Sequence, residues 1–126
     1  MKQVELKGII VPIVTPMNPE DESVNLDELR NQIERQIAGG VHGLFPFGTN
    51  GEGYILSMKE KEEVLEATID QVKGRVPIYA GTGCISTRDT IYMSKRLKSW
   101  APMFCPSSPL ALPWPARRSS MTTMWR

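Results

Sequence analysis

The stretch Gly43-Leu44-Phe45-Pro46-Phe47-Gly48-Thr49-Asn50-Gly51-Glu52-Gly53 decides how this chain is read. Residues 43–47 form a short apolar run, the pattern of a strand buried on both faces. Residues 48–53 then set three glycines around a threonine hydroxyl and an asparagine amide. A buried strand emptying into such a loop carries freed backbone N–H groups to its C-terminal end, where parallel α/β proteins bind their ligands. Those donors suit a small carboxylate or a carbonyl oxygen, which makes Gly48, Thr49 and Asn50 the candidate substrate-binding residues. The same residues also suit a tight turn that merely caps the next helix. No Lys-Ser/Thr follows the glycines and their spacing is not G-x-G-x-x-G, so neither phosphate-binding loop is present.

Working outward, the chain alternates strands and helices. Upstream, Gly8-Ile9-Ile10-Val11-Pro12-Ile13-Val14 is a β-branched run consistent with a buried strand. After a turn over Thr15–Ser23, Asn25 is placed to cap a helix whose apolar positions Leu26, Leu29, Ile33 and Ile37 share one face. Gly39-Gly40 ends it. Downstream, Ser57-Met58-Lys59-Glu60 is a capping box, followed by Val64, Leu65, Ile69 and Val72 on one face and stopped by Gly74. Val76-Pro77-Ile78-Tyr79-Ala80 is a third strand, and Ser86 or Thr87 opens a third helix through about Lys98. Three βα units of this kind predict an α/β fold with parallel strands in the order 1-2-3 and right-handed crossovers. A doubly wound sheet and a (β/α)₈ barrel are both compatible with that pattern.

The totals exclude several classes. A chain of 126 residues holds one domain with a modest core. With 40% apolar residues, 23% charged residues and a net charge of +1, nothing points to nucleic acid or an acidic membrane surface. No apolar run approaches the roughly 20 residues needed to span a bilayer. The opening Met1-Lys2-Gln3-Val4-Glu5 has no signal-peptide pattern, so a cytoplasmic protein is expected. Cys84 and Cys105 show neither metal spacing nor a disulfide framework and read as free buried thiols. His42 is the only histidine, which rules out a multi-histidine metal site, and its place among glycines makes it a loop residue and not a base. No metal or cofactor is expected.

Composition breaks near residue 98. All 14 acidic residues and all 10 glycines precede it, whereas residues 99–126 hold all three tryptophans and half of the 10 prolines. Five prolines without any period of 2 or 3.6 leave no long helix or inner strand available there. Reading the codons one base earlier forces Gly from Trp100-Ala101, Val from Met103-Phe104 and Leu from Phe104-Cys105. Permissible codons elsewhere then turn residues 99–110 into a helix end, a buried strand and a Thr-Pro turn. The expectation is a folded part over residues 1–98 and an irregular, out-of-frame tail over 99–126.

A family resemblance rests on four groups of residues in order: Val14-Thr15-Pro16 after the first strand, Gly39-Gly40-Val41-His42-Gly43-Leu44 before the second, Gly48-Thr49-Asn50-Gly51-Glu52 with Leu56-Ser57 after it, and Val76-Pro77-Ile78-Tyr79-Ala80-Gly81-Thr82-Gly83. This succession, over about residues 4–98, resembles the N-terminal section of the dihydrodipicolinate synthase and N-acetylneuraminate lyase family. The resemblance implies a (β/α)₈ barrel, usually a homotetramer, that joins or cleaves C–C bonds of pyruvate or another 2-keto acid through a lysine Schiff base. It also implies that Gly48, Thr49 and Asn50 face the keto-acid carboxylate. Asn50 departs from the family's second hydroxyl residue: an amide donates to a carboxylate but cannot relay a proton as a hydroxyl does. That opens 2-keto-3-deoxy sugar acid aldolase or dehydratase chemistry beside the synthase reaction.

The family's Schiff-base lysine, tyrosine and arginine have no counterpart here. Lys59, Lys61, Lys73, Lys95 and Lys98 are expected on polar helix faces or helix ends, charged and solvated, whereas a nucleophilic lysine needs burial or a cationic neighbour. The chain alone is therefore expected to be inactive and not to assemble as a homotetramer, the alternative reading being a non-catalytic half-barrel. An open three-stranded sheet is further expected to expose Ile9, Val11, Leu44, Phe47 and Tyr79.

Overall fold

The computed structural model describes residues 7–100, ordered as β1 (Ile10–Pro12), α1 (Leu26–Ala38), β2 (Gly43–Phe45), α2 (Met58–Val72) and α3 (Thr87–Trp100). The expectations for the tail, including Cys105, lie outside the described residues. α3 continues through Trp100, two residues past the break in composition.

Each helix starts where its cap was read. The Asn25 side chain accepts from the Glu28 backbone N–H at 2.9 Å. At α2 the capping box closes in both directions, Ser57 Oγ accepting from Glu60 N–H at 3.2 Å and Glu60 Oε2 from Ser57 N–H at 2.7 Å. Ser86 Oγ accepts from Asp89 N–H at 3.0 Å and so opens α3. These caps satisfy donors that the first turn of a helix otherwise leaves unpaired. At the C-terminus of α2 the left-handed residue is Lys73, at φ 48°, one position before Gly74.

β1 and β2 pair in parallel, with Ile10, Val11 and Pro12 opposite Gly43, Leu44 and Phe45. The third strand is present but thinner than expected. Over residues 76–80 it makes one parallel bridge, Leu44 to Ile78, with Leu44 N–H donating to Pro77 O at 3.0 Å and Tyr79 N–H donating to Leu44 O at 2.8 Å. The order 1-2-3 holds, and β2 is the middle strand. β2 is also shorter than its apolar run: Pro46 has no N–H to give, although its carbonyl still accepts from strand 3, and Phe47 turns into the left-handed region.

The helices cover the sheet and close a single core. Leu29 and Ile33 of α1, Val64, Leu65 and Val72 of α2, and Met93 and Leu97 of α3 meet Leu44 and Ile78, all of them buried. Leu44, Phe47 and Tyr79 are buried too, which corrects the expectation that the sheet face lies open. Of the five residues named for that face, Ile9 is the one clearly exposed, at 64%. Tyr79 packs across Gly43, where a Cβ would come within 2.7 Å of its ring, and burial holds its phenol above its ordinary pKa.

Polar residues line the α1–α2 seam. Arg30 pairs with Asp70 at 2.6 Å, and Glu34 accepts from both Gln71 and Arg75. The Arg75 guanidinium, helped by the Gln71 amide, lowers the Glu34 pKa from 4.5 to about 2. A depressed carboxylate contributes stability above its unfolded pKa and loses it as pH falls through the folded one. Because this pair faces solvent, the contribution is small and screened by salt. Urea titrations should therefore show a modest stability loss between about pH 4.5 and about pH 2 that is reduced in Glu34→Gln. Leu65→Ala, which empties a fully buried site between helix and sheet, should lower stability by about 2–5 kcal/mol at neutral pH.

Candidate functional site

Three chain segments converge at the C-terminal end of β2. The first is the turn after β1, where the buried Thr15 hydroxyl donates to Gly51 O at 2.7 Å. The second is the loop after β2, folded by Gly51 N–H donating to Gly48 O and Glu52 N–H donating to Thr49 O, both at 3.1 Å. The third is the end of strand 3, where Gly81 N–H donates to Pro46 O at 3.0 Å. Phe47 stands where they meet, in the left-handed region at φ 64° with its side chain buried. A non-glycine residue held there costs on the order of 1–3 kcal/mol and persists only when its surroundings hold it.

Two glycines do so. A Cβ on Gly53 or on Gly81 would lie 2.8 Å from Phe47 O, against backbone that cannot yield. The absence of side chains at these positions lets strand 3 and the far arm of the loop close on the Phe47 carbonyl from different directions. The loop is thereby fixed to both neighbouring strands.

Within it, Gly48 is half-buried and Thr49 and Asn50 are exposed on the rim. Among the described residues, no hydrogen bond engages the N–H groups of Gly48, Thr49 and Asn50, or the side chains of Thr49 and Asn50. Three successive backbone donors, a hydroxyl and an amide thus stand together with their capacity unspent. They can take a carboxylate or a carbonyl oxygen. They supply neither a nucleophile nor a base, and the described residues contain no cluster of His, Cys, Asp and Glu able to hold a metal.

Two sequence expectations need correction or completion here. Lys61, expected to be solvated, is 4% exposed and donates from Nζ to Cys84 Sγ at 3.4 Å. The signal was available: Lys61 lies one helical turn before Val64 and Leu65, on the face that α2 buries. Thr15 was read only as part of a turn, and its hydroxyl proves to be the tie between β1 and the loop. His42 is an exposed loop residue, as expected, with Nδ1 accepting from Ile9 N–H at 3.1 Å. Lys59, Lys73, Lys95 and Lys98 are exposed, as expected.

A parallel α/β layer carrying a glycine-rich rim at its strand ends defines the class, an α/β fold of the kind that binds ligands at the C-terminal ends of its strands. The Dihydrodipicolinate synthetase family model matches residues 5–101, and the chain belongs to that family. It is 45% identical over 95 residues to the 4-hydroxy-tetrahydrodipicolinate synthase of Sorangium cellulosum, an alignment covering 75% of this chain and 32% of the relative. Among solved structures, the N-acetylneuraminate lyase of Proteus mirabilis superimposes with a TM-score of 0.72 at 30% identity, covering 76% of this chain and 32% of the lyase. The dihydrodipicolinate synthase of Acinetobacter baumannii, solved with pyruvate, gives 0.71 at 39% identity, covering 75% of this chain and 32% of the synthase. The chain thus spans about a third of the length of the relatives it matches. These neighbours are TIM-barrel aldolases, so the partial α/β arrangement seen here is part of a barrel and not of a doubly wound sheet.

The close approach at Phe47 O is testable by a pair of substitutions. Gly81→Ala should destabilise the chain by about 1–3 kcal/mol, since the added methyl meets backbone. Gly83→Ala, with open space around it, should change stability by less than about 0.5 kcal/mol in the same urea titration.

Proposed function

We propose that this chain supplies the carboxylate-binding rim of a lyase or aldolase acting on pyruvate or a related 2-keto acid. The unpaired donors of Gly48, Thr49 and Asn50 at the C-terminal end of β2 carry the reading. The neighbour solved with pyruvate supports the ligand class. A 2-keto acid presents a planar carboxylate beside a carbonyl, and adjacent N–H groups with a hydroxyl and an amide satisfy both. Asn50, an amide where the family places a hydroxyl, holds the carboxylate without moving a proton. This opens an aldolase or dehydratase role beside the synthase reaction named for the relatives.

The bond-making step in this class needs an amine that condenses with the keto group. We assign that step to no lysine described here, because Lys61 is buried against Cys84 and the exposed lysines stand on helix surfaces in water. By itself the chain binds and does not catalyse. The tail over residues 99–126 is proposed to be out-of-frame sequence, which the nucleotide sequence around codon 98 tests directly.

Two measurements separate binding from chemistry. Titration of ¹⁵N-labelled chain with pyruvate should move the amide signals of Gly48, Thr49 and Asn50, and Asn50→Ala should weaken binding by about 1–3 kcal/mol. Borohydride added with pyruvate should leave every lysine unmodified. Unmoved loop signals would remove these residues from the site, and a reduced imine on any lysine would refute the non-catalytic half of the reading.

A further inference from the structure

We propose that Lys61 and Cys84 form an oxidation-sensitive pair, in which peroxide converts the contact between them into a covalent nitrogen–sulfur link. Nζ lies 3.4 Å from Sγ, and the two residues come from separate elements, the first turn of α2 and the loop that precedes α3. Lys61 is 4% exposed, yet among the described residues no carboxylate pairs with it. A buried ammonium without an acidic partner is unusual, because taking a charge out of water requires compensation. The group that Nζ meets instead is a thiol.

Geometry keeps the thiol in place. Cys84 N–H donates to Thr90 Oγ1 at 3.1 Å, and the Thr90 hydroxyl in turn donates to Ser86 O at 3.1 Å, so the first turn of α3 holds the cysteine backbone. Cys84 is half-buried, which lets a small oxidant reach Sγ, while Lys61 has little room to swing away. The thiolate is the form of cysteine that attacks peroxide, and Nζ is the nitrogen in contact with the sulfur that this oxidises.

The chemistry balances without any further reagent. The thiolate attacks hydrogen peroxide, the O–O bond breaks, and sulfur is oxidised to the sulfenic acid while peroxide is reduced to hydroxide. The lysine, having given its proton to that hydroxide, attacks sulfur through its lone pair. The S–O bond then breaks, a nitrogen–sulfur bond forms, and the amine's second proton leaves with the departing oxygen as water. One ammonium, one thiolate and one peroxide thus give one sulfenamide and two waters. Holding both groups in contact makes the second step intramolecular, which favours it over capture by a second oxidant molecule. The link ties the first turn of α2 to the loop between strand 3 and α3.

The test uses the full chain carrying Cys105→Ser, which leaves a single thiol, treated with hydrogen peroxide and mapped by tryptic mass spectrometry. The expected result is loss of cleavage after Lys61 and a joined peptide pair lighter than its two parents by two hydrogens. Dithiothreitol should restore both. In Lys61→Arg the cation remains without an amine nucleophile, and oxidation should stop at a sulfenic acid that dimedone captures. Sulfinic acid on Cys84 with normal cleavage after Lys61 in the native chain would overturn the proposal, as would equal linking in denaturing urea.

Discussion

The carbonyl of Phe47 is the point on which the rim of this sheet depends. Gly53 and Gly81 both pack their Cα atoms against it, close enough that a methyl on either would overlap the backbone. Leu44, three residues earlier, stands opposite Val11 of β1 and gives both its backbone N–H and its carbonyl to strand 3. The middle strand is thus a ladder at its start and a steric clasp at its end. Because the clasp is made of backbone, it has little freedom to adjust, and it keeps Phe47 in a conformation that its own side chain disfavours.

The consequences run outward from there. With Phe47 turned back, the following residues leave the sheet and expose three backbone donors instead of continuing the strand. Thr15 then secures the far side of the loop to the end of β1 through one buried hydrogen bond. A ligand-binding rim needs its donors held in place before the ligand arrives, since each group fixed on binding subtracts from affinity. Here the covalent backbone, two glycines and one hydroxyl hold it, without any charged residue in the clasp. The helices contribute a different kind of support: their shared apolar core anchors the sheet from one side, and the polar seam between α1 and α2 sets their alignment at the solvent edge.

Membership of the dihydrodipicolinate synthetase family and a span of about a third of its relatives make sense of this division. What the described residues hold is a part of a barrel with unspent backbone donors at its strand ends, the part proposed to position a small acid. Among the described residues, Lys61 is the one buried lysine, and it is engaged with Cys84.

Much of this was legible residue by residue. Asn25, Ser57 with Glu60, and Ser86 named the helix starts, because capping is a local bargain between a side chain and the next turn's N–H groups. The spacing of Leu29 and Ile33, and of Val64, Leu65 and Val72, named the buried faces, because helical geometry repeats regardless of what lies opposite. The glycines and polar residues at 48–53 marked the rim. Lys61 escaped because a charged side chain was assigned to water by its type, although its position put it among buried neighbours. The short third strand, the left-handed Phe47 and the Thr15–Gly51 bond were beyond local reading. Each is made by groups far apart in the chain, and only when the strand ends were brought together could packing decide which backbone had to bend and which hydroxyl had a carbonyl to meet.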